Sequence, residues 1–306
     1  MLKAKVDNEI WMVQQHHHAQ LSGFLAAHWG GRNGFAHPGT YPGATDPGRW
    51  RDEVVLGIAE HDNGWWEEEA MPRIAVDGLP VGIGEAAAPT QANEFASWRS
   101  GGFDRWRHGI QRLAGPHPYS ALLISLHAYW LYAVNFPDLV SEDVDSHRHF
   151  VFGSPEVAPG LVGDVAKTRA FLEEQADLQA ELKSRLGRDP VMAAAVNPEH
   201  LAPHSRLLQL LDSMSLYLAL NDTDVHELND VPRSSWSDRC TITWRRKDAR
   251  TISLDPYPFG VDGLVVSMPA RVVRAEGMLG AKPQAPPLTR LHATPFQAVD
   301  FTFVSE

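Results

Sequence analysis

Apolar residues recur every three to four positions over most of the first three quarters of the chain, the spacing of amphipathic helices. In residues 14–29, Leu21, Phe24, Leu25 and His28 fall at helical spacing, and His18, Leu21, Ser22 and Leu25 share a face. From about Trp50, the residues Val54, Ile58, His61 and Trp65 form one stripe, which predicts a helix running through the His61-Asp62 doublet. Residues 90–114 predict one or two helices interrupted at Gly101-Gly102. Residues 118–136 predict a strongly apolar helix opened by Pro118. Residues 163–187 predict a long charged helix ended by Gly187, and residues 203–221 another apolar one. Segments 30–48 and 71–89 are rich in Gly and Pro and read as loops, the first a candidate substrate lid.

The period changes after about Val231. Residues 240–244, 251–255, 263–273 and 298–304 are short, β-branched and partly alternating. The turn "DPYPFGVDG" and the Pro-rich stretch 280–289 separate them. The pattern predicts a mainly α fold. A helical bundle over residues 1–235 carries a small antiparallel β section, residues 236–306, packed on it.

Composition narrows the function classes. The chain has 306 residues, 43% of them hydrophobic and 21% charged, enough for a sizeable core. Its net charge of −11 argues against a nucleic-acid polymer as partner, yet allows an anionic small molecule where a metal reverses the local field. The single cysteine, Cys240, excludes an intrachain disulfide and a cysteine zinc site, and fits a cytoplasmic location. The first residues lack the apolar core of a signal peptide, and the most apolar run, around His127, is too short to span a membrane. The expected partner is a small-molecule substrate; a homodimer is compatible with the composition.

Metal-capable side chains stand in the middle of these apolar helices. Asp212 sits in "LLQLLDSMSLYL", where Leu208, Leu211 and Leu218 are its neighbours and no basic residue lies one turn away. A carboxylate left unpaired in such surroundings costs several kcal/mol, so a cation is a good partner. The His61-Asp62 doublet offers a ring nitrogen and a carboxylate oxygen together, and His18 and His127 add imidazoles. Taken singly, a buried histidine is more often a hydrogen-bonded core residue; the joint order His, His-Asp, His, Asp is harder to reach by chance. Two His and two carboxylates suit one or two divalent transition ions, Fe, Mn, Zn, Co or Ni.

The order His18, His61-Asp62, Asp212 resembles the HD superfamily of helical metal-dependent phosphohydrolases. "QQHHHAQLSGFLAAHWG", "IAEHDNGWWEEE", "ALLISLHAYWL" and "DPYPF" are more specifically similar to an uncharacterised bacterial family related to HD proteins. The resemblance runs from about Gln14 to the C-terminal strands. It implies an HD-like helical bundle with His18, His61, Asp62 and Asp212 as metal ligands. His127 would be a catalytic, second-metal or substrate histidine. The implied activity is hydrolysis of a small phosphorylated substrate by a metal-activated water. Lys167 and Arg169, at the start of the long helix, are candidate anion-binding residues. An HD-type diiron oxygenase and a non-catalytic metal-binding or sensory module are the alternatives. His147, His149, His200 and His204 lie in loop-like surroundings and stay outside the expected ligand set.

Overall fold

A computed structural model of the chain describes residues 1–75, 77–82, 92–140, 144–274 and 286–306. Leu2, Ala4 and Val6 alternate with Lys3 and Lys5, and this period of two makes strand β1 (Leu2–Val6). Asp7, at a φ of 53°, turns the chain into β2 (Glu9–Val13). Helix α1 (Gln15–His28) follows, then the short β3 (Trp29–Gly31). Helix α2 (Pro47–Ala59) starts where the Asp46 side chain accepts from the Arg49 amide, with Pro47 in the first turn. A 3-10 turn (Asn63–Trp65), α3 (Trp66–Ala70), α4 (Ala92–Ala114) and α5 (Pro118–Ala133) come next. After α6 (Ala158–Leu161), α7 (Val165–Leu186) is capped by Asp164, and α8 (Pro198–Ala219) completes the helical part. The remaining elements are β4 (His226–Ser235), β5 (Asp238–Arg246), β6 (Thr251–Asp255), β7 (Leu264–Arg274), α9 (Pro287–Ala293) and β8 (Phe296–Ser305).

The β structure corrects the expected mainly α, HD-like bundle with a small C-terminal antiparallel section. Among the described residues, all strands but β3 form one seven-stranded sheet in the order β1-β2-β7-β8-β6-β5-β4. It is mixed, because β6 and β8 run parallel while the other pairs are antiparallel. The N-terminal hairpin joins the C-terminal strands, with Met12 opposite Arg271. β7 has a free edge that the hairpin covers, and an unpaired edge is a liability in any sheet. Helix α4 runs unbroken through Gly101-Gly102, correcting the expected interruption. The loop expected over 71–89 and the Pro-rich stretch 280–289 lie in part outside the described residues; the end of the latter opens α9.

Helix α8 is the axis of the molecule. Every residue from Pro203 to Ala219 is buried, as expected for a helix packed on all sides. It lies against α1, α2, α5, β1 and β4. One hydrophobic core joins Leu21 of α1, Leu122 of α5 and Leu211 of α8 to Trp11, Trp244 and Phe303 of the sheet. The helices cross closely where glycine permits: a Cβ on Gly23 of α1 would stand 2.4 Å from the Ala59 Cβ of α2. Among the described residues, no helix is long and apolar enough to cross a membrane.

The Gly/Pro-rich segment 30–48, expected as a lid, is tied down. The Ala36 amide donates to the Arg233 carbonyl, and Thr45 Oγ1 donates to the Val191 carbonyl. The Gly39 amide donates to Nε2 of His204 (3.1 Å), a fully buried residue of α8. His204 therefore carries its proton on Nδ1 and donates it to Tyr119 Oη (2.7 Å), which donates to the Ala195 carbonyl. Burial, with a smaller push from His200, lowers the His204 pKa to about 3. Below the unfolded value of 6.5, the unfolded chain takes up a proton that the native state refuses. This contribution to stability is whole above pH 6.5 and shrinks as the pH falls toward 3. Urea denaturation of wild type and His204→Gln at several pH values checks it. The wild type should lose more stability than the variant between pH 6.5 and 4; parallel profiles would refute the assignment.

Candidate metal centre

The His61-Asp62 doublet lies just past the end of a helix, where the stripe of Val54, Ile58, His61 and Trp65 predicts the interior of one. Helix α2 ends at Ala59, and Glu60 and Asp62 take φ, ψ of −108°, 13° and −108°, 21°. Neighbouring helical residues diverge by about 100°. Leaving the helix lets both side chains face inward. The turn is held from outside by α4. A Cβ on Gly64 would stand 1.9 Å from the Arg105 carbonyl oxygen, so only glycine admits this approach. Asn63 Nδ2 donates to the Gly109 carbonyl, and Arg112 donates to that of Asn63 (2.7 Å).

His18 of α1, His127 of α5 and Asp212 of α8 converge on this turn, all buried. A fourth histidine, His149, arrives from the loop before α6, which the sequence reading left outside the ligand set. Two buried side chains of α8 place it. Arg206 donates to the Arg148 carbonyl (2.6 Å) and lies over the Phe150 ring, and Gln209 Nε2 donates to the His147 carbonyl (2.9 Å). The signal in the sequence was the apolar run Phe150-Val151-Phe152, which a solvated loop would not carry. His147 itself points elsewhere, stacked on Trp130 with ring centroids 3.9 Å apart. His200 packs edge-on against Trp50.

Proton accounting defines what each group can do. The Val151 and Phe152 amides both donate to His149 Nδ1 (3.2 Å each), so Nε2 bears the hydrogen and donates to Asp212 Oδ2 (2.9 Å). His61 Nδ1–H donates to the Ile58 carbonyl (2.8 Å), leaving the Nε2 lone pair toward Asp212 Oδ1 at 3.3 Å. Ser215 Oγ gives its hydrogen to the Asp212 carbonyl (2.8 Å) and accepts from His18 Nδ1 (2.9 Å). The His18 Nε2 lone pair then faces Asp62 Oδ2 at 2.9 Å. His127 Nε2 lies 3.4 Å from Asp212 Oδ2.

Two electron-pair donors thus face each other twice, and His61 Nε2 and Asp212 Oδ1 are buried with no hydrogen-bond partner. A positive charge belongs between them. As a proton it sits on His61: burial opposes this, but Asp212 and Asp62 raise its pKa to about 9. Burial likewise opposes charge on Asp212, and His61 and His149 more than offset it, holding that carboxyl well below the usual range. A metal ion fits the same place. Donor atoms about 2.1 Å from one ion lie roughly 3.0–3.4 Å apart at angles of about 90–110°. The pairs at 2.9 and 3.3 Å approach that spacing. Ligand atoms of His18, His61 and Asp62 lie within 4.8 Å of one another, as do those of His61, His127 and Asp212.

A cavity of about 380 Å³ opens on the cluster, with His18, Asp62, His127 and Asp212 at its floor. Its wall includes Gln15, Trp65, Arg105, Trp106 and Tyr132. Lys167 and Arg169 are not on that wall; Arg169 pairs with Asp138 at the surface (2.7 Å), and Lys167 lies 3.9 Å from Asp164. Lys167 lies with Val165 and Ala166 on the exposed side of the first turn of α7. No residue of 30–48 is on the wall either. Arg105 is, ion-paired with Glu68 and 5.4 Å above the Trp65 ring; burial lowers its pKa to about 10, leaving it charged at neutral pH.

His149 orients Asp212 without needing to touch an ion. His149→Ala should therefore weaken transition-metal binding by about 10–100-fold, the usual effect of removing a partner that holds a ligand. Competition with a chromophoric chelator measures it. Unchanged affinity would show that Asp212 needs no such support.

The family model described as "Protein of unknown function (DUF3891)" matches residues 1–275. No curated protein and no solved structure matches the chain. With a model that covers nearly its whole length, the chain belongs to the DUF3891 family of proteins of unknown function.

Proposed function

We propose that the protein is a metal-dependent hydrolase acting on a small phosphorylated substrate, as the HD-like order of its ligands implies. One observation carries this reading: the buried lone pairs of His61 Nε2 and Asp212 Oδ1 confront each other at 3.3 Å beside an open cavity. His18, His61, Asp62 and Asp212 would hold the ion, and their mixed nitrogen and oxygen donors suit a divalent transition metal. Bound there, such an ion supplies Lewis acidity at a phosphoryl oxygen and eases the deprotonation of water.

The chain's own groups do the rest. Burial holds the His127 pKa well below 6.5, against the pull of Asp212, so this imidazole rests neutral and readily gives up a proton it has taken. It takes a proton from the attacking water and returns it to the leaving oxygen. The bond from phosphorus to that oxygen breaks as the bond to the water oxygen forms. Arg105, on the cavity wall, would face the phosphoryl group. The tautomer of His149 favours one ion over two, because Nε2 is a donor to Asp212 and Nδ1 is already filled. That weighs against the diiron oxygenase.

Metal analysis after reconstitution tests the reading, with an expected stoichiometry of about one transition ion per chain. Asp212→Ala and Asp212→Asn should both lose the ion while circular dichroism retains the helical signal. Hydrolysis of p-nitrophenyl phosphate should disappear in His61→Ala. Full metal occupancy in a folded Asp212 variant would sink the ligand assignment, and activity surviving in His61→Ala would sink the mechanism.

A further inference from the structure

The wall of the cavity is chemically lopsided. Away from the ligand cluster, its polar side chains among the described residues are Gln15, Arg105 and Tyr132. The rest is apolar: Leu131, Phe152, Leu161 and Leu216, with the indoles of Trp65 and Trp106 meeting edge to face at 4.8 Å. Arg105 has the Trp65 ring beside it and Glu68 behind it, so its cation is fixed at the boundary between the cluster and the aromatic wall. Asp62 and Tyr132 line the same cavity as Arg105, which places its cation beside the cluster.

We infer that the site takes a phosphomonoester whose alcohol part is compact and apolar, an aryl group being the simplest, with Arg105 reading the phosphoryl charge and the aromatic wall reading the rest. This rests on the hydrolase reading of the same site. A sugar or polyol ester would bring several hydroxyls against a wall with few groups to pair them, and unpaired buried polar groups are costly. An aryl group covers apolar surface and packs against indole edges. Hydrolysis of such an ester breaks the bond between phosphorus and the aryl oxygen, and water supplies the hydroxyl to phosphate and the hydrogen to the phenol. The cavity volume of about 380 Å³ is near the low end for small-molecule sites, which suits a single-ring compound.

Binding read by tryptophan fluorescence tests this, since Trp65 and Trp106 are on the wall. Phenyl phosphate, glycerol 3-phosphate and inorganic phosphate are titrated into the full chain, metal-loaded and metal-free. Phenyl phosphate should bind about tenfold or more tighter than glycerol 3-phosphate, the discrimination an apolar pocket affords. Arg105→Gln should weaken phenyl phosphate by roughly tenfold or more while metal content is unchanged. Equal binding of the two esters overturns the inference, and so does an unaffected Arg105→Gln. The ester comparison needs no variant, so it stands if Arg105→Gln fails to fold. Selectivity for phenyl phosphate in a protein that takes up no metal would support the substrate class while overturning the hydrolase reading. Metal uptake without selectivity would do the reverse.

Discussion

The structure depends on one carboxylate kept charged although it is almost wholly buried. Asp212 sits in the middle of a helix buried on every side, and its two oxygens are served by different partners: His61 and His18 approach Oδ1, while His149 and His127 approach Oδ2. Breaking one side of a buried pair costs about 3–5 kcal/mol, a large part of the stability of any domain. Much of the surrounding architecture follows from supplying that compensation. The turn after α2 leaves helical geometry to present His61 and Asp62 together, and the glycine at Gly64 lets α4 press that turn into place. Arg206 and Gln209, on the same helix as Asp212, hold the backbone that delivers His149.

Charge on the floor and hydrocarbon on the wall give the cavity its character. His18 and His61 are fixed by Ser215 and by the Ile58 carbonyl, so their remaining lone pairs are aimed before anything binds. Such preorganisation is what a reactive site requires, since it avoids reordering polar groups during the reaction. Arg105 adds a cation at the border of the two regions. A site with polar groups this restricted discriminates by the shape and polarity of what enters, more than by a large number of contacts.

The central residues were legible because apolar helices expose any ionisable group placed in them. His18, His127 and Asp212 stood out against Leu-rich surroundings, and the structure brings all three to one place with the doublet. His149 was not legible in that way, because no periodicity marks a loop; only the apolar run behind it hinted at burial. Lys167 and Arg169 drew notice for charge alone, which a solvated helix face also produces. Strands β5 to β8 were legible where β-branched residues cluster, whereas β4 (His226–Ser235) falls in the part expected to be helical. The N-terminal hairpin was missed although Leu2, Ala4 and Val6 alternate with lysines, because five residues of alternation carry little weight beside long helical patterns. Its partner, β7, is specified by sheet geometry and not by any local feature.

That hairpin also sets the timing of assembly. During synthesis β1 and β2 are made before α1 to α9, yet β2 finds its neighbour only when β7 has been made. Until then β2 has β1 on one side and no strand partner on the other. The helices around α8 are all made before β7, so their part of the core can gather first. Completion of the sheet is the long-range event, and such pairings are slow because the entropy of the intervening chain must be given up before they form. Until β7 is made, β2 keeps a pairing-competent edge exposed, the kind of surface that makes a partly folded chain prone to aggregate.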